Sequence, residues 1–244
     1  MDNIIFTRWS GKYCTVDEVS DSVMEQYPNL SKKTIIWKIN QLVKNKRITR
    51  VGRGVYLVSY KAKFSQSISN TAKRVCKILT ESLKYLDLTI TDTSTLGEFM
   101  TLRPFSTVVN IEVRKAAINA AVTTLRREKV QVYIKSDYPK LERYVDSNQP
   151  ILISKELSVN PTMQKDSNVR LATIEKILVD LVSDADIYGQ YQDTELLNIY
   201  RNATEMYAIN YSQLLKYAAA RGKKEEVVSN LQETSEYMKV RHLL

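Results

Sequence analysis

Eight lysines and arginines fall between Lys32 and Arg53 with no acidic residue among them, and they overlie a helix-then-hairpin pattern. Few folds tolerate that combination. Ser31 is a good helix cap, and Ile35, Ile39, Leu42 and Val43 recur at helical spacing behind it. One stripe of this helix must therefore face a core, leaving Lys32, Lys33, Thr34, Trp37, Lys38 and Gln41 on the other side. Ile48, Arg50 and Val51, then Gly52-Arg53-Gly54, then Val55, Tyr56 and Leu57 predict two short strands joined by a tight turn with an arginine at its tip.

The preceding segment supports the same reading. Thr15 and Glu18 have the spacing of a capping box, Val16, Val19 and Val23 form an apolar stripe, and Tyr27-Pro28 ends the helix. Asp2 to Trp9 predicts a short helix or an arm, and Lys12 to Cys14 a short extended piece. The order of helix, turn, basic helix and hairpin is that of a helix-turn-helix with a wing. An uninterrupted positive run on that element points to a polyanion, and the partner expected is double-stranded DNA. Ser31, Lys32, Lys33, Thr34, Trp37, Lys38, Gln41, Lys44, Arg50 and Arg53 are the candidate DNA-binding residues. Thr34, Trp37, Lys38 and Gln41 are placed to read base edges, and Lys44, Arg50 and Arg53 to hold phosphates.

Charge is unevenly divided. The formal net charge is +9, and residues 1–65 carry 12 basic against 5 acidic residues. The basic character thus belongs to the N-terminal part, which implies nucleic-acid binding there and a different task elsewhere. Two cysteines far apart suit a reducing compartment and lack metal-ligand spacing. No apolar stretch approaches membrane-spanning length, so a cytoplasmic protein with no membrane partner is expected.

Ser59 to Gln66 has no periodicity and predicts a linker, dividing a winged domain over residues 1–62 from a second domain over 66–244. The apolar stripes of the first domain look self-contained. In the second, Ala72, Val75, Leu79 and Leu83 mark a helix, and Leu86, Leu88 and Ile90 alternate as in a half-buried strand. A strand over Thr107 to Val113, a helix from Lys115 to Glu128, a strand from Val130 to Ile134 and an extended Ile151 to Ile153 follow. Strand signals end at Asn168, and four helices are expected beyond, carried by Ile174 to Leu181, by Leu196 to Tyr207, by Leu214 to Ala218 with Gly222 after it, and by Val227 to Met238. The fold class is α+β: a winged helix-turn-helix, then a mixed α/β domain ending in a helical C-terminal region.

Two segments, ITRVGRGVYLV and LATIEKILVDLVSDADIY, resemble the AbiEi-type antitoxins of bacterial abortive-infection systems, and TDTSTLGEF and VVNIEVRKAAINAAVTTLRREKVQVYI are similar to that family's middle region. The resemblance implies a transcriptional regulator that represses its own operon and counteracts a nucleotidyltransferase-like toxin. It also implies that antitoxicity sits in the second domain. Glu175, Lys176, Asp180 and Asp184 are expected to carry it, on an exposed face off the Ile174, Ile177, Leu178 and Leu181 stripe.

Catalytic, cofactor and metal sites are not expected. The single histidine, His242, excludes a multi-histidine metal site, and no GxxxxGK[ST] loop exists. Two other functions stay open. One is a metal-dependent enzyme acting on nucleotides or nucleic acid through Asp180, Asp184 and Asp186, although the glycine-serine element that accompanies such aspartates is missing. The other is a repressor that senses a small molecule through its α/β domain. The late tyrosines, at helical spacing, are expected in a core.

Overall fold

The computed structural model describes residues 1–101, 104–145 and 147–244. Three helices begin the chain, α1 (Asp2–Trp9), α2 (Val16–Gln26) and α3 (Lys32–Lys44), with the short strand β1 (Tyr13–Thr15) between the first two. A hairpin of β2 (Thr49–Gly52) and β3 (Val55–Leu57) follows, and β1 pairs with β3 to give an antiparallel sheet in the order β1-β3-β2. The Thr15–Glu18 capping box and the Ser31 cap both form.

The second region is built on a six-stranded mixed sheet of order β6-β7-β5-β4-β9-β8. Its strands are β4 (Leu88–Asp92), β5 (Val109–Val113), β6 (Val132–Ile134), β7 (Ile151–Lys155), β8 (Thr162–Asp166) and β9 (Val169–Ala172). One face, with Leu88, Ile90, Val109, Ile111, Val113, Ile151 and Ile153, packs on α4 (Asn70–Ser82) and α5 (Ile118–Arg127). The other carries Thr89, Thr91, Asn110 and Glu112, paired by the β4–β5 register, and is equally buried. A short α6 (Tyr138–Leu141) precedes β7. The C-terminal part is helical: α7 (Ile174–Ser183), α8 (Asp193–Met206), α9 (Tyr211–Ala220), α10 (Lys224–Gln232) and α11 (Ser235–Val240). Among the described residues no helix is long and apolar enough to cross a membrane.

Three expectations are corrected. Strands do not end at Asn168, because β9 lies beyond it, parallel to β4 and antiparallel to β8. β8 is an edge strand with mostly exposed side chains, and β9 has only four residues, too few for periodicity to mark it. β4 is buried on both faces, since its threonines face protein and not water. The last expected helix is two helices, broken where the Thr234 hydroxyl donates to Leu231 O at 2.7 Å.

The segment after β3 is irregular, as its composition suggests, yet it is packed. Phe64 is buried against the rings of Phe99 and Tyr207, and Ala208 N–H donates to Ala62 O at 2.8 Å. The hairpin is shared more deeply still. Cys14, Tyr56 and Val58 face α1–α3, whereas Val51, Val55 and Leu57 enter the core formed by the C-terminal helices. The apolar surface of the N-terminal segment is therefore not self-contained. Glu236 on α11 adds a polar clamp, accepting from Tyr13 Oη at 2.7 Å and Lys61 Nζ at 3.1 Å, while Lys61 Nζ also reaches Thr204 O.

Both tryptophans, Trp9 and Trp37, lie in the N-terminal unit, so their fluorescence reports that unit alone and far-UV circular dichroism reports the whole chain. The shared core predicts coincident denaturant transitions by the two probes, and Leu57→Ala should lower both together by about 2–5 kcal/mol. Separate transitions would mean that the units unfold independently.

The clamp predicts a pH dependence. Burial alone would raise the Glu236 pKa, but hydrogen bonds from Lys239, Tyr13 and Lys61 outweigh it and bring the carboxyl down to about 2. A carboxylate depressed below its unfolded value of about 4.3 stabilises the fold above that value and loses the contribution as pH falls toward 2. Acid titration of Glu236→Gln should therefore lack part of the destabilisation that the unmodified chain shows between about pH 5 and 2.

Candidate nucleic-acid interface and a buried charge cluster

Helix α3 starts where the Ser31 hydroxyl accepts the Thr34 N–H at 3.2 Å. Ile35, Ile39 and Leu42 are buried against α1 and α2, which turns the opposite side outward. Lys33, Trp37, Asn40 and Lys44 form that outward stripe, and Trp37 is 60% exposed. Ser31, Lys32 and Thr34 are exposed at the helix start, while Lys38 and Gln41 are half-buried on its flank. Asn40 is the residue that the sequence reading missed. As a neutral residue it carried no charge signal, yet its spacing from Lys33, Trp37 and Lys44 is the helical complement of the buried stripe.

The positive run is thinner in space than in sequence. Lys32 Nζ lies 2.5 Å from Asp17 Oδ1, and Asp2 pairs with Lys38 at 3.3 Å and Arg47 at 3.8 Å. These acids come from α1 and α2, outside the basic segment. Lys33, Lys44, Arg50 and Arg53 have no acidic partner among the described residues. Exposed pairs of the first kind are weak, so a phosphate can replace the carboxylate.

At the hairpin tip Gly52 pairs with Val55, leaving Arg53-Gly54 as a two-residue turn whose Gly54 has φ +75°, a conformation costly for residues with a Cβ. The Arg53 side chain is exposed, and Arg50 Nε donates to Gly52 O at 3.1 Å, holding its guanidinium along the hairpin.

The proposed antitoxicity residues are placed differently from expectation. Glu175, Lys176 and Asp180 do not lie on an exposed face: they are 6%, 0% and 2% exposed. Helix α7 is covered on one side by the sheet and on the other by α8–α10, so the polar positions of EKILVDL point into protein. Lys176 Nζ donates to Glu112 Oε1 at 2.7 Å and Tyr217 Oη at 2.9 Å, and lies 2.9 Å from Asp180 Oδ2. Tyr217 Oη donates to Asp180 Oδ1 at 2.6 Å, where Arg221 Nη1 also arrives at 2.5 Å. Asp184, the outermost member, has one oxygen 3.0 Å from Arg221 Nη2 and the other 2.8 Å from Lys135 Nζ. Glu175 accepts the Asn210 N–H at 2.8 Å and so fixes the approach to α9.

Three cations and three carboxylates therefore balance within one buried cluster. Burial alone would lower the Lys176 pKa, but Asp180 and Glu112 hold the ammonium above its ordinary value. For Asp180, burial is outweighed by Lys176, Lys135 and Arg221, which keep the carboxylate ionised at lower pH than usual. Glu112 is raised by burial despite Lys176 beside it. The sequence signal for this cluster was Glu112 itself, since a glutamate in the apolar strand VVNIEV needs a buried counter-charge. Six of the seven late tyrosines, Tyr188, Tyr191, Tyr200, Tyr211, Tyr217 and Tyr237, are core residues, as their spacing suggests, and Tyr207 is half-buried against that core. Among the described residues no group of three or more His, Cys, Asp or Glu is placed to hold a metal ion.

Residues 34–237, from within α3 to within α11, match the family described as "Family of unknown function (DUF6577)", and the chain belongs to it. No curated protein matches.

Removing Lys176 would leave Glu112 and Asp180 facing each other without a shared cation. Lys176→Met should therefore cost about 3–5 kcal/mol in denaturant unfolding, far more than an exposed α7 residue would. A loss below about 1 kcal/mol would instead match a weak, solvent-exposed ion pair.

Proposed function

We propose that this DUF6577 member is a DNA-binding regulator, with α1–α3 and the sheet of order β1-β3-β2 acting as a winged helix. Helix α3 enters the major groove and the β2–β3 hairpin lies along the phosphates as the wing. The observation that carries the reading is the outward stripe of Lys33, Trp37, Asn40 and Lys44, free of acidic partners among the described residues, with Arg53 at the hairpin tip of the same unit. Cations without carboxylate partners release counterions when they meet phosphates, while Trp37, Asn40 and Gln41 offer apolar and hydrogen-bonding contacts to base edges.

The similarity to AbiEi-type antitoxins supports a narrower form of the proposal. The DNA is then the operator of the chain's own operon, and the functional partner is a nucleotidyltransferase-like toxin in the reducing cytoplasm. In this reading Glu175, Lys176 and Asp180 serve antitoxicity by holding the C-terminal helices on the sheet. Asp184 alone of the four reaches partway to the surface.

The proposal is tested by titrating duplex DNA against salt. With about four phosphate contacts, log affinity should fall against log salt with a slope of about −3.6. Arg53→Ala should weaken binding to all duplexes alike, and Trp37→Ala or Gln41→Ala should change the preference among them. Binding that ignores salt would overturn the reading.

A further inference from the structure

We infer that the DNA-binding surface continues past the hairpin tip onto the outer side of α9 and the last turn of the chain, where Lys216 and Arg241 hold further phosphates of the duplex. This rests on the DNA-binding reading above and names the part of the footprint that lies outside the N-terminal unit.

The hairpin tip and α9 are in direct contact. The Arg53 N–H donates to Ser212 Oγ at 3.0 Å. Gly52 is so close that a Cβ there would stand 3.0 Å from the same oxygen and 2.8 Å from Leu244 Cδ2. Both the start of α9 and the C-terminal turn therefore border the wing. Ser212 and Lys216 are four residues apart on an α-helix and share a face, so Lys216 stands about 6 Å beyond Ser212 along α9. Arg241 opens the turn Arg241–Leu243, a 3-10 segment in which residues three apart stack, and Leu244 is three residues on.

Lys216 and Arg241 are exposed, and neither has an acidic partner among the described residues. Glu236, which α11 brings to this side of the hairpin, is occupied by Lys61, Lys239 and Tyr13. Beyond Lys216 the exposed residues Ala219 and Ala220 are too small to hold a duplex away from the helix. Arg53, Lys216 and Arg241 are thus exposed cations on three elements that meet at one junction, where a phosphate backbone could contact each of them.

The test uses the full chain and a labelled mixed-sequence duplex, with affinity measured across a salt series. Lys216→Ala and Arg241→Ala should each weaken binding and make the slope of log affinity against log salt shallower by about 0.9, with thermal unfolding unchanged because both side chains are exposed. If both variants bind with the unmodified slope while Arg53→Ala binds more weakly, the surface stops at the wing and this inference is overturned, with DNA binding itself intact. If the full chain does not bind the duplex, or Arg53→Ala and Lys33→Ala bind as well as the unmodified chain, the DNA-binding reading falls and this inference falls with it.

Discussion

The ammonium of Lys176, fully buried between Glu112 of the sheet and Asp180 of its own helix, fixes where the C-terminal helices can sit. An ion out of water loses several kcal/mol of solvation, and only close, well-directed partners recover it. Apolar packing alone would let α7 slide over the sheet with little change in buried area. The geometry around Lys176 does not, because the carboxylates that compensate it come from β5 and α7 and the hydroxyl from α9. Three elements are thereby held in one register. Arg221 and Lys135 extend the arrangement outward through Asp184 until it meets solvent.

Helix α9 carries this constraint to the β2–β3 hairpin. Its inner face supplies Tyr217, with Arg221 just beyond its last turn, and its first turn supplies Ser212 to the hairpin tip. Ser212 and Arg221 are nine residues apart, about 13 Å of helix, so the charge cluster and the hairpin tip are joined by one helix. The hairpin's Val51, Val55 and Leu57 then seal the junction on its apolar side. The β2–β3 hairpin consequently has a rigid footing that an isolated two-stranded ribbon lacks. A hairpin placed this firmly presents Arg53 at a fixed distance from α3, as the proposed phosphate contact would require.

Most of the N-terminal architecture was legible because local rules decide it. The capping residues Thr15 and Ser31, the stripe Ile35, Ile39 and Leu42, and the glycine-flanked Arg53 act within a few residues of themselves. The C-terminal helices were legible for the same reason, apart from the break at Thr234. What was not legible depends on distant partners. EKILVDL reads as a helix with a solvated polar side, because nothing local announces that Glu112, Tyr217 and Arg221 will surround that side. The same holds for β4, whose threonines look outward-facing until α7 covers them, and for β8, which as an edge strand needs no apolar alternation. Periodicity reports how many faces of an element are apolar; it does not report whether a polar face meets water or a counter-charge.

Net charge, too, depends on distant partners. Counted along the chain, the basic helix and hairpin form one continuous cationic block. In the fold, Asp17 and Asp2 take Lys32, Lys38 and Arg47. Those pairs flank α3, whereas Lys33, Trp37, Asn40 and Lys44 run along its outermost line. The acids thus lower the charge at the edges of the helix and leave the outward line untouched. A surface that attracted phosphate equally from every side would hold a duplex in many orientations. Confining the free cations to one line, and to the hairpin tip beside it, limits the orientations in which all of them are satisfied. Trp37 and Asn40 lie within that line, so under the proposed function the orientation that satisfies the cations would also bring these two uncharged side chains to the bases.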